Sequence, residues 1–109
     1  WIWIKLKNIK ENNMVYVVEM DVNIPESWSE EKIADYIKRE KECSQGWQKS
    51  GKWVYLWRVA GKYSNISVLE VESPEEFHKI ISSLPLFPYM NIKVTSVTRH
   101  PNALKENIL

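Results

Sequence analysis

Glu40 is the first residue whose type and position suggest chemistry. The stretch from about Ser29 to Ser50 has helical periodicity, and at about 100° per residue Glu40 falls within about 20° of Ile33. Tyr36, Ile37, Cys43 and Trp47 share that apolar stripe, which must face the rest of the fold. A carboxylate in the middle of such a stripe is costly unless it is paired. Burial also raises its pKa and makes it a usable base near neutral pH. Glu40 therefore has two readings, a structural ion pair with Arg58 or a general base. Lys41, at the edge of the stripe, is either a solvated lysine or a second catalytic or carboxylate-binding group. Arg58 lies in the apolar run W-V-Y-L-W-R-V and needs a partner, either Glu40 or an anionic ligand. Trp53, Tyr55 and Trp57 alternate along the same run, as interface packing or as pocket walls, and strict alternation points Arg58 away from them. Arg99 and His100 form a second cationic pair in the tail. They are surface residues in a monomer, and in an oligomer they would close a neighbour's pocket. Cys43 has only His78 and His100 as possible imidazole partners and reads as a small helix residue.

Signatures of other chemistry are absent. The sequence has no phosphate loop, CxxC pair, HExxH or Ser-His-Asp arrangement, so neither a metal site nor a nucleotide-dependent reaction is expected. Fifteen Lys+Arg against fourteen Asp+Glu leave a net charge of +1, too little to draw in nucleic acid or an anionic membrane. No apolar run is long enough to span a bilayer. A single cysteine excludes an intrachain disulfide and favours a reducing, cytoplasmic setting. Six Trp among 109 residues is a surplus of amphipathic rings, which suit interfaces and ligand pockets.

The elements that position these residues follow from the punctuation. Residues 1–13 read as an N-terminal extension, W-I-W-I-K-L-K alternating like an added strand, ahead of a single domain over 14–109 with a C-terminal tail. Met14 to Val22 predicts a mostly buried strand. Asn23, Pro25 and Ser27 break it, and Ser27 or Ser29 caps the long helix. Trp53–Val59 and Tyr63–Val71 predict two strands around a short turn at Ala60-Gly61-Lys62. Ser73-Pro74-Glu75-Glu76 starts a second helix that ends near Ser83. Pro85 and Pro88 keep the next stretch irregular, and Asn91–Val97 predicts the last strand. The order β-α-β-β-α-β is the ferredoxin-like α+β plan: an antiparallel four-stranded sheet with both helices on one face. The other face then needs a cover, which suggests sheets packing between subunits as in a dimeric α+β barrel.

Three runs carry a more specific signal: G-K-W-V-Y-L-W-R-V-A-G-K-Y-S-N-I-S-V (51–68), L-P-L-F-P-Y-M-N-I-K-V (84–94) and R-H-P (99–101). With R-E-K-E (39–42) and M-D-V-N-I-P (20–25), they resemble the muconolactone delta-isomerase family over about residues 14–103. The resemblance implies a cofactor-free enzyme of aromatic-compound catabolism, in the β-ketoadipate route. It would move the ring double bond of muconolactone to give 3-oxoadipate enol-lactone. It also implies rings of ten subunits with pockets between chains. In that setting Glu40 would carry the proton. Lys41 and Arg58 would serve the dienolate oxygen and the substrate carboxylate, in an order left open. Tyr55, Trp57 and Tyr89 would wall the pocket, with Arg99 and His100 at its rim. The chain has Val17 where members of the family carry His, and Tyr55 and Lys62 where others carry His. Two alternatives accordingly stand beside the isomerase: dehalogenation of a chloromuconolactone through the same dienolate, and a non-catalytic oligomeric binding or scaffold protein.

Overall fold

In the computed structural model, residues 13–104 are described. The elements are β1 (Met14–Val22), α1 (Glu30–Lys49), β2 (Trp53–Arg58), β3 (Ser64–Val71), α2 (Pro74–Ser82), a 3₁₀ turn (Phe87–Tyr89) and β4 (Met90–Val97). They form one antiparallel sheet of order β2-β3-β1-β4, the ferredoxin-like arrangement expected. The proposed added strand over residues 1–13 lies outside the described residues, except for Asn13, whose side-chain amide donates to Glu70 Oε2 at 2.7 Å.

The helix caps follow local chemistry. Ser29, rather than Ser27, caps α1, its Oγ accepting from the Lys32 amide at 3.2 Å. At α2, Ser73 Oγ accepts from the Glu76 amide, while Glu76 Oε1 reaches back to the Glu72 amide. Gly51 ends the turn after α1 with φ +84°, a conformation that L side chains rarely adopt. The chain then reverses directly into β2.

The core lies between the helices and one face of the sheet. Val18 and Met20 of β1, Leu69 and Val71 of β3 and Trp53 of β2 pack there with Ile80, Ile81 and Leu84. Each of these is at most 3% exposed. One expectation fails at β2. A bulge between Trp53 and Tyr55 shifts the register, so that Trp53 pairs with Leu69 while Tyr55 pairs with Val68. Trp53 therefore points into the core, and Tyr55 and Trp57 point to the opposite face, where their rings stack 4.6 Å apart. Leu56 and Arg58 are left on the helix-facing side. Strict alternation had grouped all three rings together, because a one-residue bulge has no signature in residue type.

Candidate active site

Between Glu40 and Ser50 α1 covers about 15 Å, and β2 covers a similar length from Trp53 to Arg58. Arg58 is the last residue of β2, at the end away from the Gly51 turn. Here the helix-facing side of the sheet is uncovered. Ile37, one turn before Glu40 on the stripe expected to be buried, is 43% exposed. Leu56, on the helix-facing side of β2, is 40% exposed, and Arg58 is exposed beyond it. The apolar side chains of Ile37 on α1 and Leu56 on β2 are thus left open to solvent.

Glu40 is half-buried. Its Oε1 accepts a hydrogen bond from the Leu86 amide at 2.9 Å, and among the described residues Oε2 has no partner. Desolvation raises its pKa above the ordinary carboxyl value, and the Leu86 N–H opposes that shift without cancelling it. The ion pair with Arg58 does not form. Arg58 Nη1 donates weakly to the Ser64 carbonyl at 3.4 Å, and the guanidinium lies 5.1 Å from the centre of the Tyr63 ring. The strand register places Arg58 on the helix-facing side, but its contacts are with Ser64 and Tyr63 rather than with Glu40. Each is left with capacity for a ligand.

The other expected site residues divide into four groups. Lys41 is exposed and makes no ion pair among the described residues. Tyr55 and Trp57 sit on the open face of the sheet, away from Glu40 of the same chain. The Tyr55 hydroxyl is buried with no partner among the described residues, and burial raises the phenol's pKa. Arg99 turns back onto the carbonyls of Ala103 and Leu104, and His100 Nδ1 accepts from the Asn102 amide at 3.0 Å. Within a single chain Arg58 lies on the helix-facing side of β2, while Tyr55 and Trp57 lie on the opposite face of the sheet. Tyr89 packs beside Trp28 and Tyr36, with ring centroids 4.8 and 6.3 Å away. Sequence reading missed the Leu86 amide, a backbone group with no residue-type signal, and Trp28, which read only as part of a helix start.

A concavity of about 190 Å³ opens at the other end of α1, lined by Ser50, Gly51, Lys52, Glu72 and Glu76 among others. Lys52 pairs with Glu76 there at 2.8 Å. Its position past the C-terminus of α1 separates it from Glu40 by most of half the helix. Among the described residues no cluster of three or more His, Cys, Asp or Glu could hold a metal ion, and no helix is long and apolar enough to cross a membrane.

Comparison with known proteins bears on this arrangement over nearly the whole domain. Muconolactone Delta-isomerase 1 of Acinetobacter lwoffii is 50% identical over 95 residues, spanning 86% of this chain and 98% of its own. The muconolactone delta-isomerase of Rhodococcus opacus is 46% identical over 91 residues, spanning 84% and 98%. A crystal structure of muconolactone isomerase superposes with a TM-score of 0.79 at 42% identity, over 84% of this chain and 95% of that one. The sequence profile of the family matches residues 14–103. With the ferredoxin-like sheet, these matches place the chain among isomerases: it belongs to the muconolactone delta-isomerase family.

Proposed function

We propose that this protein isomerises muconolactone to the enol-lactone in aromatic-compound catabolism, with Glu40 as the proton carrier. The observation that supports Glu40 most directly is its half-buried carboxyl, held at one oxygen by the Leu86 amide and free at the other. The free oxygen removes the proton from the ring carbon bearing the acetate arm. The electron pair released moves through the ring double bond onto the lactone carbonyl, giving an oxyfuran-like dienolate. The protonated carboxyl then delivers the proton to the carbon next to the carbonyl, and the double bond is left in its new position. Both carbons belong to one small ring, so one carboxyl serves both transfers without a second base. A raised pKa suits this shuttle, because the carboxyl must bind the proton and release it within one turnover.

Arg58 holds the acetate carboxylate, and Leu56 and Ile37 supply apolar contact. Lys41 is the candidate donor to the dienolate oxygen, reached when a neighbouring chain closes the site. Such a neighbour accounts for three features of the isolated chain: the exposed Ile37 and Leu56, the apolar Tyr55–Trp57 face and the remote Arg99–His100 tail. The assembly is accordingly a homo-oligomer, for which the ring of ten implied by the family resemblance is the natural candidate. The lone half-buried Cys43 agrees with a reducing cytoplasm.

The test is a direct assay on muconolactone with wild type and Glu40→Gln. Wild type should form the enol-lactone, while the variant should keep the wild-type assembly and lose turnover by at least about a hundredfold. Equal turnover in the two proteins would remove Glu40 from this role. Absence of conversion by wild type, with chloride released from a chloromuconolactone, would favour the dehalogenase instead.

A further inference from the structure

The segment that carries the Leu86 amide is held in place from both ends. Leu84 and Leu86 are buried, each 2% exposed, and Pro85 between them fixes its own φ. After Leu86, the Tyr89 amide donates to the Leu86 carbonyl at 2.9 Å, closing the 3₁₀ turn. The Tyr89 carbonyl in turn accepts from the Asn23 amide at 2.8 Å. Both backbone groups of Leu86 are thus engaged, the N–H by Glu40 and the C=O by Tyr89.

A cluster of three rings ties this turn to α1. Trp28 lies 4.4 Å from Tyr36 and 4.8 Å from Tyr89 between ring centroids, meeting Tyr89 edge to face. Tyr36 stands one turn before Glu40, so it projects from the same side of α1. Trp28 precedes the N-cap, and its backbone N–H donates a hydrogen bond to the Pro25 carbonyl at 3.2 Å. Two cations complete the arrangement, Lys32 4.5 Å from the Trp28 ring centre and Arg39 4.4 Å from that of Tyr36. The rings therefore join the β1–α1 loop, α1 at the level of Glu40, and the turn that presents the Leu86 amide.

We propose that the Trp28–Tyr36–Tyr89 cluster is a clasp that holds the Leu86 amide on Glu40 Oε1 and so leaves Oε2 as the oxygen that moves the proton. Trp28 is then a positioning residue for the isomerisation, acting through Tyr89 and Leu86 without touching the substrate. The inference rests on the reading of Glu40 as the proton carrier. A carboxyl fixed at one oxygen cannot swing, so the proton it collects stays over the ring and returns to the same substrate molecule. If the clasp loosens, the carboxyl gains rotational freedom and water reaches it, and the borrowed proton exchanges with solvent before it is returned.

Four proteins test this: wild type, Trp28→Ala, Trp28→Phe and Glu40→Gln, assayed with muconolactone in D₂O alongside hydrogen exchange at the Leu86 amide. Trp28→Ala should lower kcat by about ten- to a hundredfold with KM nearly unchanged, the size expected for small misplacements of a catalytic group. It should raise the share of product carrying solvent deuterium next to the carbonyl, and speed exchange at Leu86 by about tenfold or more. Trp28→Phe, which keeps a ring, should recover most of all three. Unchanged Leu86 exchange in Trp28→Ala would overturn the clasp even with no turnover to measure. A fall in kcat without any rise in deuterium would also overturn it, as would a change confined to KM. Should Trp28→Ala fail to fold, Tyr36→Leu carries the same expectations and the same disproofs. Turnover that survives Glu40→Gln would reject the base, a result distinct from an unaffected Trp28→Ala beside an inactive Glu40→Gln.

Discussion

The two ends of the α1–sheet interface have the same architecture and opposite finishes. At the C-terminal end of α1 the interface is closed. Trp53 is 2% exposed, Ser44 is buried, and Trp47 Nε1 donates to Ser83 Oγ at 3.0 Å while that hydroxyl donates to the Ile80 carbonyl. Cys43 Sγ adds a 3.5 Å contact to the same hydroxyl, so the serine at this junction is fully used. At the other end, apolar Ile37 and Leu56 are left exposed, and among the described residues Arg58 has no carboxylate partner and the Glu40 carboxyl is engaged at one oxygen. Burial is tight around Trp53 and Ser44 and incomplete around Ile37 and Leu56. In the function proposed above, the closed end maintains the fold and the open end receives the substrate.

The comparison breaks most visibly at Trp53. Trp53→Ala at the closed end should cost about 3–5 kcal/mol of stability, measured by chemical denaturation, because a large ring leaves a cavity in a core that cannot fully collapse. A loss below about 1 kcal/mol would mean that this end is not the anchor. At the open end, Arg58→Met should raise KM for muconolactone by about ten- to a hundredfold, the value of one charge-assisted hydrogen bond pair. Its denaturation midpoint should stay close to that of wild type, since the guanidinium makes only one weak hydrogen bond and a ring contact within its own chain. A KM effect at Trp53 equal to that at Arg58 would erase the distinction between the two ends.

A smaller effect concerns pH. The Glu40 carboxyl has a higher pKa folded than unfolded, chiefly through desolvation. Folding therefore favours its protonated form, and this contribution is complete below the ordinary value of 4.5 and lost as pH rises through the folded pKa. Glu40→Gln, which retains an acceptor for the Leu86 amide, should accordingly melt above wild type at pH 7, with the gap closing below about pH 4.5. A variant that melts lower at neutral pH would show that the carboxylate stabilises the fold, and would move Glu40 to the structural side of the comparison.

Much of this organisation was legible in the sequence. The β-branched strand of Met14 to Val22, the Ser73-Pro74 helix start and the Pro-bounded turn before β4 declare themselves through local chemistry, and their boundaries fall within a residue or two. Glu40 was legible as well, since a carboxylate inside an apolar helical stripe is a conflict that needs a cause. Its partner was not, because a backbone amide in a proline-rich turn looks the same whatever accepts from it. The exposure of Ile37 was equally hidden, because periodicity gives the face of a helix and not how far the sheet beneath it extends. Trp28, outside both helix and strand, had no period to place it.

The bulge between Trp53 and Tyr55 has a consequence for how this sequence tolerates insertions and deletions. It acts as a phase shift in the strand: every side chain after it is assigned to a face by the count of residues through Val54. Losing one residue there would hardly alter composition or strand propensity. Deleting Val54 would keep the Trp53–Leu69 and Tyr55–Val68 pairs and so keep every face, whereas flattening the bulge with Val54 retained would send Tyr55 and Trp57 toward the helices and Leu56 and Arg58 to the open face. Losing the bulge without losing the residue would thus disturb both faces of β2 together, whereas most substitutions in the strand alter only one of them.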